Sequence, residues 1–409
     1  MRRIFLLLAL LLVAGPAPTA VAGGPAATER ALARQMRFAG PGSSALAVDL
    51  DTGARIYAAR PAVPRIPASV EKLYTTSTAL RVLGVDARLV TSVSADAPPD
   101  ERGTVAGNVY LRGAGDPTLG RAELDALADR LAAAGVFEVT GSIVGDESVF
   151  DARRGPPSSG YRTSVYVGPL SALSFNRGLT GERAPYFQAQ PARFTARAYT
   201  RRLRALGVWV AAPAVTGTTP PTAVPLTAWE SPPMVDLARL TNQDSDNFNA
   251  ETLIKALGAQ VTGMGTTAAG AGVVTAEMGE LGIRPTVVDG SGLSRFNRTS
   301  PEDVVTLLAT MRDEAAFTGS LAVAGRSGTL ERRMRGTAAQ DRCRGKTGTL
   351  IGVSALAGYC TTAAGADVAF AFLMNGVNPA GAHALQDRMA AALAGYEPRP
   401  TVQRHARAG

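Results

Sequence analysis

Lysine is nearly absent from this 409-residue chain: of its 42 basic residues, only Lys72, Lys255 and Lys346 are lysine. Histidine stops at His383 and His405, and cysteine at Cys343 and Cys360. These shortages exclude chemistry. A zinc peptidase needs two or three histidines with a carboxylate, and a Ser-His-Asp hydrolase needs a histidine held beside its nucleophile. Neither histidine sits in such a motif, so both chemistries lack support. Two cysteines are too few for a metal site, and in an exported chain they read as a disulfide. Blocks of one charge sign are also missing. The net charge of +8 is dispersed, without basic runs interleaved with aromatics, so nucleic acid is not an expected partner.

Long apolar runs are confined to the N-terminus. Arg2 and Arg3 precede Ile4–Ala14, and small residues end at Ala20-Val21-Ala22, an export signal with an A-x-A cleavage site over residues 1–22. Cleavage would leave a chain starting near Gly23 and lower the charge by two. No cysteine near that site offers a lipid attachment point. At the other end, Pro398–Gly409 carries no amphipathic helix. The expected product is soluble or loosely wall-associated, with at most peripheral membrane contact. With 46% hydrophobic and 19% charged residues, the remainder is a folded protein long enough for two or three structural units.

Ala45–Leu50 and Ala54–Ala59, around Asp51-Thr52-Gly53, read as a β-hairpin. Ser69–Leu83 reads as a helix that Gly84 can close, with Leu73, Leu80 and Leu83 on one face. From about 88 to 225 the text is richer in Val, Thr, Gly and Pro, with strand-like pieces at Asn108–Leu111 and Ser142–Val144; it reads as a β-rich insertion. Helical patterns resume at Met234–Leu240, Asn247–Leu257 (ended by Gly258) and Pro301–Met311, the last capped by Thr299 or Ser300. Strands follow at Arg342–Lys346, Val353–Tyr359 and Val368–Met374, then a final helix at Ala382–Leu393. This order predicts an α+β fold whose antiparallel sheet is built from both chain ends with helices against it.

Within that frame, Ser69 and Lys72 stand at i and i+3 on a first helical turn, one face of the helix. The helix dipole there favours a developing alkoxide. A serine nucleophile needs a base, and a buried lysine can be one, whereas arginine keeps its proton. Alone, S-x-x-K is weak. Ser245-Asp246-Asn247 could be a plain N-cap cluster, and Lys346-Thr347-Gly348-Thr349 a plain strand end where Gly348 admits a ligand backbone. Together, in this order, the three match the set of penicillin-binding proteins and class A β-lactamases.

The surrounding text resembles the D-alanyl-D-alanine carboxypeptidase/endopeptidases of the penicillin-binding protein 4 type, peptidase family S13. The resemblance runs through Pro67–Lys72, Gly115–Leu119, Gly145–Asp151, Gly168–Leu173, Ser231–Gly258, Asp289–Ser294, Gly328–Leu330 and Gly345–Tyr359. It implies a penicillin-recognising serine hydrolase domain at 23–87 and 226–400, an inserted domain at 88–225, and no cofactor or metal. Ser69 would be acylated, with Lys72 taking its proton. Ser245 would relay a proton to the leaving amine, Asn247 hold the acyl side chain, and Lys346, Thr347 and Thr349 receive the terminal carboxylate. The Ser69 and Thr349 N–H groups would form the oxyanion hole, where losing one donor typically costs ~100–1,000-fold in rate. Asp146, Phe150, Arg295 and Leu350 match positions that read a diaminopimelate side chain, though Asp146 could instead stabilise a turn.

Peptidoglycan stem peptides and β-lactams are the implied ligands. A third domain usual for the type has no room between Asn176 and Pro191 and is expected to be missing. Folding the hairpin after KTGT about Ile351-Gly352 sets Cys343 opposite Cys360, the expected disulfide. Two other readings stay open. A β-lactamase needs a carboxylate to position water, and Glu71, between Ser69 and Lys72, should point away from both. A non-catalytic wall-binding scaffold would have no need of Lys72.

Overall fold

The computed structural model describes residues 23–181 and 186–398. The expected export signal, His405 and all but the first residue of Pro398–Gly409 lie outside the described residues. Helix α1 (Pro25–Ala39), begun by a proline at its first position, leads into strands β1 (Ser43–Asp49) and β2 (Arg55–Ala59), an antiparallel pair around the Asp51–Gly53 turn. The chain then tightens into a 3₁₀ turn over Ala68–Glu71 and continues as α2 (Lys72–Thr78) and a wide π turn over Ala79–Leu83. Gly84, at φ 98°, ends the helical run. Leu73 and Leu80 are buried, and so is every residue of α2, because helices and sheet surround it.

The next stretch makes two small sheets. Its strands are β3 (Val90–Ala95), β4 (Thr104–Val105) and β5 (Val109–Arg112), then helix α3 (Arg121–Ala133), β6 (Glu138–Val139) and β7 (Ile143–Asp146). Helix α4 (Pro191–Ala205) follows, with β8 (Trp209–Val210), β9 (Val215–Thr216) and β10 (Val224–Glu230). The strands order as β10-β3-β5-β7-β9 and β4-β6-β8. Neither helix stands out from composition. In α4, arginines cover the outer face while Ala192, Ala196, Tyr199 and Leu203 form a buried stripe. Both helices cross over between parallel pairs, β5 with β7 and β7 with β9, which two-residue turns cannot join.

The chain then returns through α5 (Met234–Gln243), α6 (Asn247–Thr262), α7 (Thr267–Glu280), α8 (Pro301–Thr310) and α9 (Ala315–Gly319). Strands β11 (Ala322–Val323), β12 (Cys343–Leu350), β13 (Val353–Thr361) and β14 (Asp367–Asn375) and helix α10 (Pro379–Ala394) complete it. Gly258 does not stop α6. A Cβ there would meet Gly270 N at 2.8 Å, so this glycine lets α7 pack closely, and Gly263 at φ 75° ends the helix instead. Ser300 caps α8, exchanging hydrogen bonds with Asp303 in a capping box.

Strands from both chain ends form one six-stranded antiparallel sheet, β11-β12-β13-β14-β1-β2. Its side chains alternate between two apolar layers. Ala355, Ala357, Ala369 and Leu373 face α2 and α5–α8, while Leu356, Cys360, Phe370 and Phe372 face α1 and α10. That alternation decides the site. On β12, Lys346 lies opposite Ala357 and turns toward α2 and α6, whereas Thr349 lies opposite Ser354 and turns toward α10. Cys343 and Cys360, also opposite each other, are joined as a disulfide on the α10 side.

Candidate active site

Three motifs from distant parts of the chain meet at Ser69. Lys72 Nζ donates to Ser69 Oγ at 2.9 Å, to Asn247 Oδ1 at 2.7 Å and to the Ser291 carbonyl at 2.7 Å. Lys346 Nζ donates to Ser245 Oγ at 2.8 Å and to the carbonyl of Thr347 at 2.9 Å. Ser69 is partly exposed while both lysines are fully buried, so the nucleophile opens to solvent above a dry floor. The five expected catalytic side chains thus form two hydrogen-bonded groups, Ser69 and Asn247 on Lys72 and Ser245 on Lys346, near enough that Lys72 lowers the pKa of Lys346.

The backbone around Ser69 is held in unusual conformations. Ala68 has φ 47° and Ser245 φ 58°, in the left-handed region that costs non-glycine residues of order 1 kcal/mol or more. Gly348 is needed for close approach: a Cβ there would sit 2.6 Å from the Pro67 carbonyl oxygen and 3.0 Å from Ser69 N. The missing side chain lets β12 lie against the Ser69 turn. Arg342 accepts from Thr361 N, and antiparallel pairs alternate, so Thr349 N–H faces away from β13, beyond the short β11. Thr349 N–H is therefore free of the ladder with β13, one residue along from the Gly348 contact with Ser69.

Electrostatics fit a base at Lys72. Burial pushes Lys72 down to about 8, and the nearby Asp289, Glu251, Asp246 and Glu71 only partly oppose this. The shift from 10.5 corresponds to about 3 kcal/mol against the charged amine. Burial, with Lys72 beside it, also holds Lys346 well below the ordinary lysine range. Burial raises Glu251 and Asp289 as well, each near the other, so this cluster shares fewer charges than its composition suggests.

Sequence reasoning missed the support beneath Lys72. Ser291, inside the DGSGLS string, contributes a backbone carbonyl, which leaves no trace in residue type. Glu251 Oε1 accepts from Ser291 N at 3.0 Å, and Asp289 accepts from Gly292 N, Ser294 N and Asn297 Nδ2. These acids clamp the loop that presents the carbonyl. Asp246, the N-cap of α6, pairs with Arg177 at 2.6 Å, and Asn247 Nδ2 donates to the Tyr166 carbonyl. Arg177 and Tyr166 therefore bring the stretch before α4 against the start of α6, beside Lys72. Glu71 makes no hydrogen bond to Ser69 or Lys72; both of its oxygens are buried without a hydrogen-bond partner.

The expected side-chain-reading residues make no hydrogen bond or ion pair with one another. Asp146 is fully buried and accepts from Ser148 N at 2.8 Å and Thr219 N at 2.7 Å. Burial alone would raise it, but these hydrogen bonds hold it below the ordinary carboxylate range. Arg112 Nε also lies 3.7 Å from its Oδ2. Phe150 is buried against Gly115 and Gly265. Arg295 is exposed and reaches the Ile351 carbonyl at 2.9 Å, beside Leu350, without contacting Asp146. The third lysine, Lys255, pairs with Asp151 and donates to the Arg153 carbonyl, tying α6 to the inserted region.

Comparisons with known proteins identify the family. The D-Ala-D-Ala carboxypeptidase 3 (S13) family matches residues 29–185 and 185–396. A D-alanyl-D-alanine carboxypeptidase of Actinomadura sp. (strain R39) is 32% identical over 441 residues, covering 87% of this chain and 81% of the relative. Carboxypeptidase DacB of Mycolicibacterium smegmatis is 32% identical, covering 84% and 78%. Among solved structures, penicillin binding protein 4 of Haemophilus influenzae superposes with a TM-score of 0.76 at 22% identity, covering 88% of this chain and 97% of that one. This chain belongs to the S13 family.

Proposed function

We propose that this S13 family member is an exported serine DD-peptidase that cleaves peptidoglycan stem peptides through a Ser69 acyl-enzyme and is acylated by penicillin. The chain is a serine-type D-Ala-D-Ala carboxypeptidase. One observation carries the mechanism: Lys72 Nζ, depressed by burial, lies 2.9 Å from Ser69 Oγ. Neutral Lys72 takes the hydroxyl proton as Ser69 Oγ bonds to the carbonyl carbon between two D-alanines. The oxyanion forms between Ser69 N–H and Thr349 N–H. As the C–N bond breaks, the proton that Lys72 took is relayed through Ser245 to the leaving amine, Lys72 returns to neutral, and D-alanine departs. Water then hydrolyses the ester, the same groups acting in reverse. A terminal carboxylate beside Lys346 would favour that amine's charged form, opposing the burial that lowers its pKa.

The discontinuous organisation, with a catalytic domain from 23–87 and 226–400 around an insertion at 88–225, is part of this reading; the sheet drawn from both chain ends supports it. Absence of the third domain is supported by alignment length, since 441 aligned positions exceed the 409 residues of this chain. Among the described residues no helix is long and apolar enough to cross a membrane. The test is release of D-alanine from a peptide ending in D-Ala-D-Ala, with Ser69→Ala as control. Rapid turnover of a chromogenic cephalosporin would favour a β-lactamase instead, and no D-alanine release would overturn the proposal.

A further inference from the structure

The α10 side of the KTGT strand carries a second polar row. Thr347 and Thr349, two residues apart on β12, share the face that meets α10. Thr347 Oγ1 donates to Thr329 Oγ1 at 2.8 Å. Thr349 Oγ1 lies 3.4 Å from His383 Nε2. His383 is the one histidine among the described residues, half-buried on α10. One turn further along, Gln386 donates to Ser354 Oγ at 3.0 Å, and Ser354 is the cross-strand partner of Thr349. The helix is fixed in this register by Arg333, which donates to the His383 carbonyl, Gln386 Oε1 and Asp387 Oδ1. His383 is therefore aimed at the mouth of the oxyanion strand by a built, three-point anchor. Thr349 is exposed, so the space beside the imidazole is open to a ligand.

We propose that His383 is a specificity-determining residue, whose imidazole joins Thr347 and Thr349 in receiving the free C-terminal carboxylate of a substrate. This rests on the DD-peptidase reading above. A peptide ending in a carboxylate offers an anion to the imidazole and both hydroxyls; a peptide whose chain continues, or ends in an amide, does not. His383 thus biases the shared cleft toward removal of a terminal residue and away from internal cleavage. The charged groups that act on it are Arg333, which disfavours the imidazolium, and Asp387, which favours it; Lys346, three residues before Thr349 on β12, turns to the other face of the sheet. Burial and Arg333 outweigh Asp387 and keep the free imidazole below its ordinary value. A bound carboxylate opposes both effects, so the preference for a terminal carboxylate strengthens as the pH falls through the imidazole titration.

The test compares kcat/KM for a peptide ending in D-Ala-D-Ala with that for its C-terminal amide, from pH 5.5 to 9, in native protein, His383→Gln and His383→Ala. The ratio cancels the titration of Lys72, which serves both substrates, and His383→Gln reports any contribution from Lys346. The native ratio should rise toward acid pH. His383→Gln should keep the alkaline ratio and lose the rise, and His383→Ala should lower the ratio about 10-fold or more at pH 6, the scale of one hydrogen bond to a charged group. If both substrates slow by the same factor, His383 only braces Thr349 and the proposal fails. An unchanged ratio also overturns it. Ser69 labelling by fluorescent penicillin separates the causes: label with an unmoved ratio sinks His383 alone, and no label sinks the DD-peptidase reading with it.

Discussion

The depressed Lys72 has a direct kinetic consequence. A lysine of ordinary pKa 10.5 is neutral in only about one molecule in 3,000 at pH 7, whereas one brought to about 8 is neutral in about one in ten. Burial therefore raises the supply of base by about 300-fold. The perturbation is pH itself, and the reporter is the second-order rate of Ser69 acylation by a fluorescent penicillin, read under pseudo-first-order conditions from pH 5.5 to 9.5. The base form is the active one, so acylation should climb about tenfold per pH unit below 8 and level off above it. Lys72→Arg should lose at least ~100-fold at every pH, because guanidinium keeps its proton. A profile that is flat, falls toward alkali, or has its midpoint near 10 would refute Lys72 as the base. So would near-native acylation by Lys72→Arg in a folded protein.

Three more outcomes follow from other parts of the structure. Glu71 is fully buried without a hydrogen-bond partner, and burial raises its carboxyl well above the usual range; its folded form thus holds a proton that the unfolded chain releases above about pH 4.5. Glu71→Gln should match the native protein near pH 4 and exceed it by about 1–3 kcal/mol at pH 7–8 in urea unfolding; equal stability throughout would contradict the burial argument. Titration of the denatured, unreduced protein should find no thiol, two reactive thiols would rule the bridge out, and the Cys343→Ser/Cys360→Ser pair should lose about 3 kcal/mol for a separation of 17 residues. Gly348→Ala places a Cβ 2.6 Å from the Pro67 carbonyl and should push Thr349 N–H off the oxyanion, lowering kcat about 100-fold with KM little changed; native kcat would show that this contact is not needed.

Much of the catalytic cluster was legible because its chemistry demands particular side chains. Ser69 needed a base that arginine cannot be, and two of three lysines fell in motifs. The hairpin that joins Cys343 to Cys360 was legible from one turn and one count of residues. Where roles belong to backbone or to packing, residue type was silent. The Ser291 carbonyl could be any residue's. Gly258 looked like a helix stop, yet its function is contact with α7, an Ala- and Gly-rich helix that periodicity does not mark. Asp146 carried a charge visible in the sequence, but only the fold reveals the Ser148 and Thr219 N–H groups that bond to it. His383 sits in no motif, and only the register of α10 on the sheet brings it to Thr349.

Intact-mass analysis after exposure to benzylpenicillin tests the central claim most directly. One covalent adduct per chain, mapped to Ser69 and absent from Ser69→Ala, is the expected result. No adduct on the native protein, or one that persists in Ser69→Ala, would contradict it.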